Sequence, residues 1–337
     1  MIPPSFPQNQ TNDHFQVLAS DDSMTSSLQS AGFDIVNLAA NHILYCGWQG
    51  LLHTQKSIEE AGIMTLGVGD GPDTSAALKP KLVGDTRVGF LSYLEMNKWT
   101  MLGGGGRVAY YDFPVVLQDV VKAKEKVDTL ILSFHGDSEF SKAPALPRVK
   151  EFRQLAEAGA DVILAHHPHV PQGVEMWKGS LIAYSLGNFA FDTGPYQHKH
   201  CPVNSLRSHI LSVEIIDGRV AGWSRDLLKI NPEEARPEPL TQTELPEHIA
   251  HYEQLDQLLR NDETIREHWH ENCRYWLEHF WSEIIEHGPN ELIEKFGWHW
   301  IHDFPQLANG LKDMAEEKYR KHAGNDFEWT RPFSPFE

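Results

Sequence analysis

The stretch 161–173 reads DVILAHHPHVPQG and places His166, His167 and His169 directly after an apolar run. Neutral imidazole is the commonest ligand of transition metals. In an extended segment residues i and i+2 point the same way, so we expect His167 and His169 to share one ion while His166 faces away. Pro168 fixes its own φ and favours an extended backbone at His167. We interpret the cluster as part of a metal site.

Other polar residues also follow strand-like apolar runs. They are Asn41 and His42 after DIVNLAA, His135 and Glu139 around the end of TLILSFHGDSE, and Gly187 and Asn188 within LIAYSLGNF. Ligands of layered α/β folds lie beyond the carboxyl ends of the strands. Amide and carboxylate oxygens complete a hard or borderline metal site. We therefore expect these imidazole, amide and carboxylate groups to meet at one edge of the sheet and to hold one or two divalent ions (Mn, Fe, Zn or Mg).

Each of these residues, taken alone, has a plainer explanation. Asn41 is a suitable helix N-cap, which would leave His42 without a chemical role. His135 and Glu139 are also compatible with a salt bridge in a loop. Gly187 is compatible with an ordinary strand that bends at a glycine. The joint pattern over several strand ends is what favours the metal site.

The elements that must position these residues alternate along the first 240 residues. Six short apolar runs predict buried strands, at 32–40, 62–69, 87–94, 128–135, 161–167 and 180–189. Gly32, Gly62 and Gly159 each stand between a helical pattern and a strand, where a left-handed C-cap is typical. This alternation is typical of a layered α/β domain.

The chain changes character after the last strand-like segments. Residues 209–230 predict a β-hairpin that turns at Asp217-Gly218. The proline-rich stretch 231–247 predicts a linker, and the Glu-, His- and Trp-rich residues 248–325 predict a helical C-terminal subdomain. We expect a polar N-terminal segment at 1–30 and the main domain at 31–240.

Composition limits the classes of partner. The chain has 337 residues, 41% of them hydrophobic, and a formal net charge of −18, which argues against nucleic acid as a partner. No apolar run is long enough to span a bilayer, and the polar N-terminus does not resemble a signal peptide. With three widely spaced cysteines and no disulfide pattern, we expect a cytoplasmic setting.

These motifs resemble the CapA, or poly-γ-glutamate capsule synthesis (PGA_cap), family, which is similar to the calcineurin-like metallophosphoesterases. The matching stretches are GFDIVNLAANHILYCGWQGLLHTQKSIEEAGI, ILSFHGDSEFSKAP, AGADVILAHHPHVPQGVEMWKGSLIAYSLGNFAFD and RSHILSVEI. The resemblance implies a four-layer α/β/β/α sandwich with a metal centre at the strand ends. It implies that Asn41 binds metal, that His42 lies near a substrate phosphate, and that His135, His167 and His169 are metal ligands.

The sequence departs from the family pattern in several places. Family members usually open with strands that carry GD and NLE motifs and supply acidic ligands, and neither precedes AANH here. The family's ANNH reads AANH, an acidic residue that commonly follows is replaced by Tyr45, and HWGxE reads HGDSE. The departures predict either a truncated gene model or a centre with fewer ligands.

The resemblance implies a metal-dependent hydrolase that acts on a phosphoester or takes part in poly-γ-glutamate-type biosynthesis. We assign His42 and Glu139 to catalysis, and His166, Gly187 and Asn188 to substrate binding. The alternative is a non-catalytic accessory or scaffold protein of a biosynthetic assembly, with a degenerate metal centre and protein partners. Family members are often extracellular or membrane-anchored, in contrast to the cytoplasmic setting expected from this sequence.

Overall fold

The computed structural model describes residues 23–44, 46–95, 107–191 and 203–275. Its helices are α1 (Ser23–Ser30), α2 (Gly47–Glu60), α3 (Pro72–Ser75), α4 (Phe113–Lys124), α5 (Leu146–Ala158) and α6 (Leu245–Leu258), with a 3-10 helix at Val203–Leu206 and a further helical stretch at 262–275. Its strands are β1 (Ile35–Asn37), β2 (Met64–Leu66), β3 (Lys79–Val83), β4 (Thr86–Leu94), β5 (Thr129–His135), β6 (Val162–His166), β7 (Val174–Trp177), β8 (Ser180–Ala183), β9 (Arg207–Ile216), β10 (Arg219–Asn231) and β11 (Arg236–Pro239).

Six strands form the central sheet, in the order β3-β4-β5-β6-β8-β7. The four inner strands run parallel, and β3 and β7 pair antiparallel at the two edges. Register places His135, the last residue of β5, opposite His166, the last residue of β6. The carboxyl ends of two adjacent strands therefore bring two predicted site residues side by side.

Both faces of this sheet are covered, which explains the nearly continuous apolar runs. Along β5, Leu130, Leu132 and Phe134 pack with α4 and α5, whereas Ile131 belongs to the opposite face, with side chains of β9 and β10. Phe134 is fully buried and contacts Phe152 of α5 edge-on, with 5.2 Å between ring centroids. Burying such a side chain contributes about 1.5–3 kcal/mol. Because side chains alternate along a strand, His135 projects from the face of Ile131.

The second sheet lies over that face. β9 and β10 form the predicted hairpin, and Asp217 and Gly218 have φ of 51° and 74°, as a two-residue turn of this kind requires. β11 pairs with β10 to complete three strands. Within the described residues there are thus three layers: the helices α4 and α5, then the six-stranded sheet, then the three-stranded sheet. The mixed α/β class is confirmed, whereas the outer helical layer and the helical C-terminal subdomain stay predictions.

A small parallel pair, β1 and β2, stands beside the central sheet and packs with α2. Ala109 joins the two sheets, because its N–H donates to the carbonyl of Gly67 at 2.9 Å and its carbonyl accepts from Leu94 N–H at 2.8 Å. β1 is shorter than its apolar run. The side chain of Asn37 accepts a hydrogen bond from Ala39 N–H at 2.8 Å and ends the strand in a local turn.

Three glycines occupy the helix ends predicted for them. Gly32, Gly62 and Gly159 have φ of 80°, 81° and 125°, which confirms left-handed conformations after α1, α2 and α5. α1 falls inside the segment 1–30 that the sequence predicted only as polar.

The chain divides into two compact units, residues 1–266 and 267–337. α6 begins at Leu245, three residues before the predicted helical region, and belongs to the first unit. Of the second unit, residues 267–275 are described and are helical. The domain limits predicted from the sequence stay predictions, and the helices predicted within 276–325 lie outside the described residues. In the described part of the chain, no helix is both long and apolar enough to cross a bilayer.

Candidate metal centre

Three side chains converge at the carboxyl edge of the central sheet. Glu139, His167 and His169 each offer one ligand atom, and these atoms all lie within 4.8 Å of one another. One carboxylate and two imidazoles suit a divalent transition metal or zinc. Glu139 had been assigned to catalysis from the sequence, and it lies where a metal ligand would. His166 is not part of this group, and the prediction that it faces away from its two neighbours stays a prediction.

Two loops hold these residues, and backbone hydrogen bonds join the loops. Gly136 N–H donates to His166 carbonyl at 3.0 Å, and Phe140 N–H donates to Pro168 carbonyl at 2.8 Å. Hydrogen bonds on both sides of Glu139 therefore join the loop after β5 to the loop after β6, which sets Glu139 beside the two histidines.

The extended backbone predicted at His167 is wrong. His167 and His169 have φ of 104° and 60°, so the chain turns around Pro168 instead of continuing the strand. The two rings still meet, with 5.9 Å between centroids, because of this turn and not because of strand alternation. Asp137 and Phe140 of the partner loop also have positive φ, at 79° and 58°. Non-glycine residues held there cost about 1–3 kcal/mol each and concentrate at functional sites.

Asn41 reaches the site from the β1–β2 pair. Its Oδ1 lies 3.1 Å from His135 Nε2, and the His135 ring centroid lies 5.0 Å from that of His167. The preceding Asn37 accepts a hydrogen bond from Ser92 Oγ of β4 at 2.6 Å. This bond ties the segment that carries Asn41 and His42 to the strand next to β5.

Asn188 contacts His169 directly. Its Oδ1 lies 2.9 Å from His169 Nδ1, and its Nδ2 donates to the carbonyl of Ser205 at 3.2 Å. Gly187 has φ 69°, and a Cβ there would come within 2.9 Å of Pro171, so the LGNF segment passes too close to the loop for a larger residue. Asn188 is buried, and both the oxygen and the nitrogen of its side-chain amide contact protein groups. The substrate-binding role assigned to Asn188, Gly187 and His166 stays a prediction.

Three histidines of the site have lowered pKa values. Burial, together with the nearby His166, His169 and His42, lowers the pKa of His135 to about 3. Burial likewise lowers the pKa of His166 to about 4 and lowers that of His169. Neutral imidazole is the form that binds a metal ion. His42 follows Asn41 in a turn and lies close enough to His135 to contribute to the lowered pKa of that residue.

A buried arginine, which no sequence motif predicted, stabilises the loop that carries Glu139. Arg148 of α5 donates to Glu95 at 2.6 Å and to Asp137 at 3.2 Å, and its guanidinium lies 4.3 Å from the Phe134 ring centroid. Glu95 Oε2 accepts from Asp137 N–H at 2.7 Å, which fixes the turn that begins the loop. Burial raises the pKa of Asp137, and Arg148 opposes that effect. Glu95 follows β4 and was recognisable as one more strand-end carboxylate, whereas no local pattern marks Arg148.

Aromatic rings flank the histidines. Phe140 and Phe191 have ring centroids 5.9 Å and 5.0 Å from that of His169. Such rings limit the access of water and strengthen electrostatic interactions with any group bound there.

The sequence matches known proteins over the region that builds this site. The family model described as "Bacterial capsule synthesis protein PGA_cap" matches residues 6–193. "Capsule biosynthesis protein CapA" of Bacillus anthracis is 28% identical over 236 residues, which cover 66% of this chain and 54% of that protein. "PGA biosynthesis protein CapA" of Bacillus subtilis (strain 168) is 28% identical over 176 residues, which cover 50% of this chain and 45% of that protein.

A third relative carries a different description. "Probable polyglutamine synthesis accessory protein" of Mycobacterium tuberculosis is 30% identical over 173 residues, which cover 46% of this chain and 44% of that protein. The chain thus spans about half the length of the curated relatives it matches. Since the family model covers more than half of the chain, the chain belongs to the PGA_cap family of bacterial capsule synthesis proteins.

Proposed function

We propose that this protein is a metal-dependent hydrolase of capsule-type polymer biosynthesis, with its centre at Glu139, His167 and His169. The observation that carries the proposal is the convergence of their ligand atoms within 4.8 Å of one another. Asn41 and His135, 3.1 Å apart, extend the donor set toward the β1–β2 pair. Support also comes from the low pKa of His135, because a neutral imidazole needs no deprotonation before it binds a metal.

Glu139, His167 and His169 would hold a divalent ion. Such an ion would supply Lewis-acid polarisation of a phosphoryl or carbonyl oxygen and would activate water. The residues of the chain do the remaining work. His42, on the turn beside His135, donates a proton to the leaving group. Asn188 orients the imidazole of His169, and Phe140 and Phe191 exclude bulk water. Arg148, through Glu95 and Asp137, keeps the Glu139 loop in place.

The proposed substrates are a phosphoester or an amide-linked γ-glutamyl chain. The phosphoester follows from the resemblance to metallophosphoesterases. The γ-glutamyl chain follows from the family, whose Bacillus subtilis member is named for PGA biosynthesis. Both substrates are anionic, and in a chain with net charge −18 they need local positive charge, which a bound metal supplies.

The test is turnover of two chromogenic probes, 4-nitrophenyl phosphate and γ-glutamyl-4-nitroanilide, by the purified protein with Mn²⁺. We expect turnover of one of the two, lost in His42→Ala and in His167→Ala. The matched control is His268→Ala, which removes a histidine of the second unit that pairs with Glu271. Equal rates in wild type and His42→Ala would contradict the assignment of His42, and equal rates in His167→Ala would contradict the metal centre.

An accessory, non-catalytic role is the second candidate. Among the described residues, Glu139 is the single carboxylate in the metal-binding group, fewer than a two-metal hydrolase needs. The Mycobacterium tuberculosis relative is named an accessory protein. Metal binding without turnover of either probe would favour this candidate, in which the site serves a biosynthetic partner protein.

A further inference from the structure

A second group of basic side chains lies where β9 begins beneath α6. It consists of Arg207, His209, His248 and His251, which we call the β9–α6 cluster. Arg207, His209 and His248 are at most 9% exposed. The sequence explains the placement, because one face of α6 carries His248, His251, Tyr252 and Leu255. Tyr252 and Leu255 of this face are buried in the core. The histidines of the same face lie against the first residues of β9.

The polar atoms of the cluster are only partly used by the protein. Arg207 donates to Glu247 at 2.6 Å and to Asn204 at 3.4 Å, and His209 Nδ1 lies 3.2 Å from the Tyr252 hydroxyl. Four buried side-chain atoms of the cluster have no hydrogen-bond partner within the described part of the chain: Arg207 Nη1, His209 Nε2, His248 Nδ1 and His251 Nε2. Buried polar groups are normally hydrogen-bonded, so four such atoms in one cluster indicate a place for a ligand.

The charge of the cluster favours an anion over a cation. Among the described residues its three imidazoles do not converge as the Glu139 group does, so they do not form a second metal site. Burial lowers the pKa of His251 to about 4 with a contribution from the positive charges of Arg207 and Lys142, so both cations are close to this ring. Glu247 pairs with Arg207, but its side chain is 75% exposed and its charge is screened by water.

Hydrogen bonds and short chain segments link the cluster to the candidate metal centre. Asn188, which contacts His169, donates to Ser205 carbonyl, and Ser208 Oγ donates to Asn188 carbonyl at 2.7 Å. Arg207 lies between these two serines. On the other side, Lys142 is three residues beyond Glu139. The two fixed cations thus belong to the same segments that shape the metal centre.

We propose that Arg207, His248 and His251 form a subsite for an oxyanion, a carboxylate or phosphate group, of the substrate that reacts at the neighbouring centre. The inference rests on the proposed function for the identity of that substrate. A planar guanidinium and imidazole N–H donors recognise carboxylate and phosphate by the same charge-assisted hydrogen bonds. For a γ-glutamyl chain the group is the α-carboxylate of a neighbouring residue, and for a phosphoester it is a second phosphate.

The test is direct binding of anions to metal-free protein by isothermal titration calorimetry. The probes are γ-linked triglutamate, pyrophosphate and, as a neutral control, the N-acetylated tetraamide of the glutamate trimer. We expect one anionic probe to bind and the tetraamide not to bind, and the anion that binds distinguishes the two sources. Because no metal and no turnover are involved, anion binding can be observed even if the proposed hydrolase activity fails.

Arg207→Gln is expected to weaken anion binding by about tenfold or more, the effect of losing a hydrogen bond to a charged group. His251→Gln, a less buried position, is the second variant and should also weaken binding. The matched control is Glu247→Gln, which breaks the same ion pair but leaves the arginine in place, and it should bind at least as tightly as wild type. Equal affinity in wild type and Arg207→Gln, equal losses in Arg207→Gln and Glu247→Gln, or the absence of anion binding would each overturn the proposal.

Discussion

His169 Nδ1 and Asn188 Oδ1 lie 2.9 Å apart, and this contact joins the HHPH loop to the SLGNF segment. Since the acceptor oxygen faces Nδ1, that nitrogen carries the proton and Nε2 is left to bind a metal ion. A partner of this kind fixes the ring orientation of a metal-binding histidine and increases its basicity. The LGNF motif therefore acts through His169 in this account.

Replacing Asn188 tests that relationship. We expect Asn188→Ala to lower metal affinity by about 10–100-fold, the usual effect of losing such a supporting hydrogen bond. Asn188→Asp keeps an oxygen acceptor and should retain metal binding. Metal affinity is measured by competition with a chelator of known strength. The control is Asn231→Ala, which removes an asparagine bonded to Glu238 in the three-stranded sheet. Unchanged affinity in Asn188→Ala would contradict the role.

Arg148 is expected to stabilise the fold through the carboxylates it joins. Its side chain is 8% exposed and bonds to Glu95, Asp137 and Glu151. Arg148→Met leaves the buried carboxylate of Asp137 without its counter-charge, and we expect a loss of about 3–5 kcal/mol in the free energy of unfolding. Urea denaturation of metal-free protein measures the loss.

The control for Arg148 is Arg236→Met. Arg236 also forms ion pairs, with Glu234 and Glu238, but its side chain is 57% exposed. An exposed ion pair contributes about 0–1 kcal/mol, so this variant should be nearly neutral. If both substitutions lower the free energy of unfolding by the same amount, the ion pairs of Arg148 do not stabilise the fold in the way that we expect of a buried network.

His209 should make stability depend on pH. Burial, reinforced by Arg225, lowers its pKa from 6.5 to about 3, so below pH 6.5 the unfolded chain binds a proton that the folded chain does not. The contribution of neutral His209 is therefore complete above pH 6.5 and is lost as the pH falls toward 3. The slope is at most about 1.4 kcal/mol per pH unit.

The measurement is the free energy of unfolding of wild type and His209→Gln between pH 7 and pH 4. The substitution should make the dependence shallower, because the proton uptake on unfolding is removed. His268→Gln, which leaves His209 in place, should keep the wild-type slope. A curve for His209→Gln as steep as that of wild type would contradict the account.

Local sequence patterns predicted much of the architecture. The apolar runs of β4, β5 and β6, the glycines that end α2 and α5, and the Asp217-Gly218 turn all follow from short-range preferences of the backbone. The association of the strand-end histidines also followed, because parallel strands present their carboxyl ends at one edge. The sequence thus predicted that His167 and His169 share a site, but it assigned Glu139 to catalysis and not to the group of metal ligands.

Contacts between distant segments were not predictable in the same way. Asn41 and His135 are 94 residues apart, and the buried Arg148 contacts Glu95 across 53 residues. The conformation of His167 went against its local preference, because Pro168 favours an extended residue before it and the structure has φ 104°. Hydrogen bonds between the loops after β5 and β6 override that preference, and such bonds exist only once the sheet has formed.

Metal content tests the central claim most directly. Wild type and the double variant His167→Ala/His169→Ala are purified side by side, incubated with Mn²⁺ or Zn²⁺, freed of loose ions and analysed by mass spectrometry of the elements, with His268→Ala as the control. If Glu139, His167 and His169 hold a divalent ion, wild type and control retain about one or two ions per chain and the double variant loses them. Equal metal content in wild type and the double variant would contradict the account.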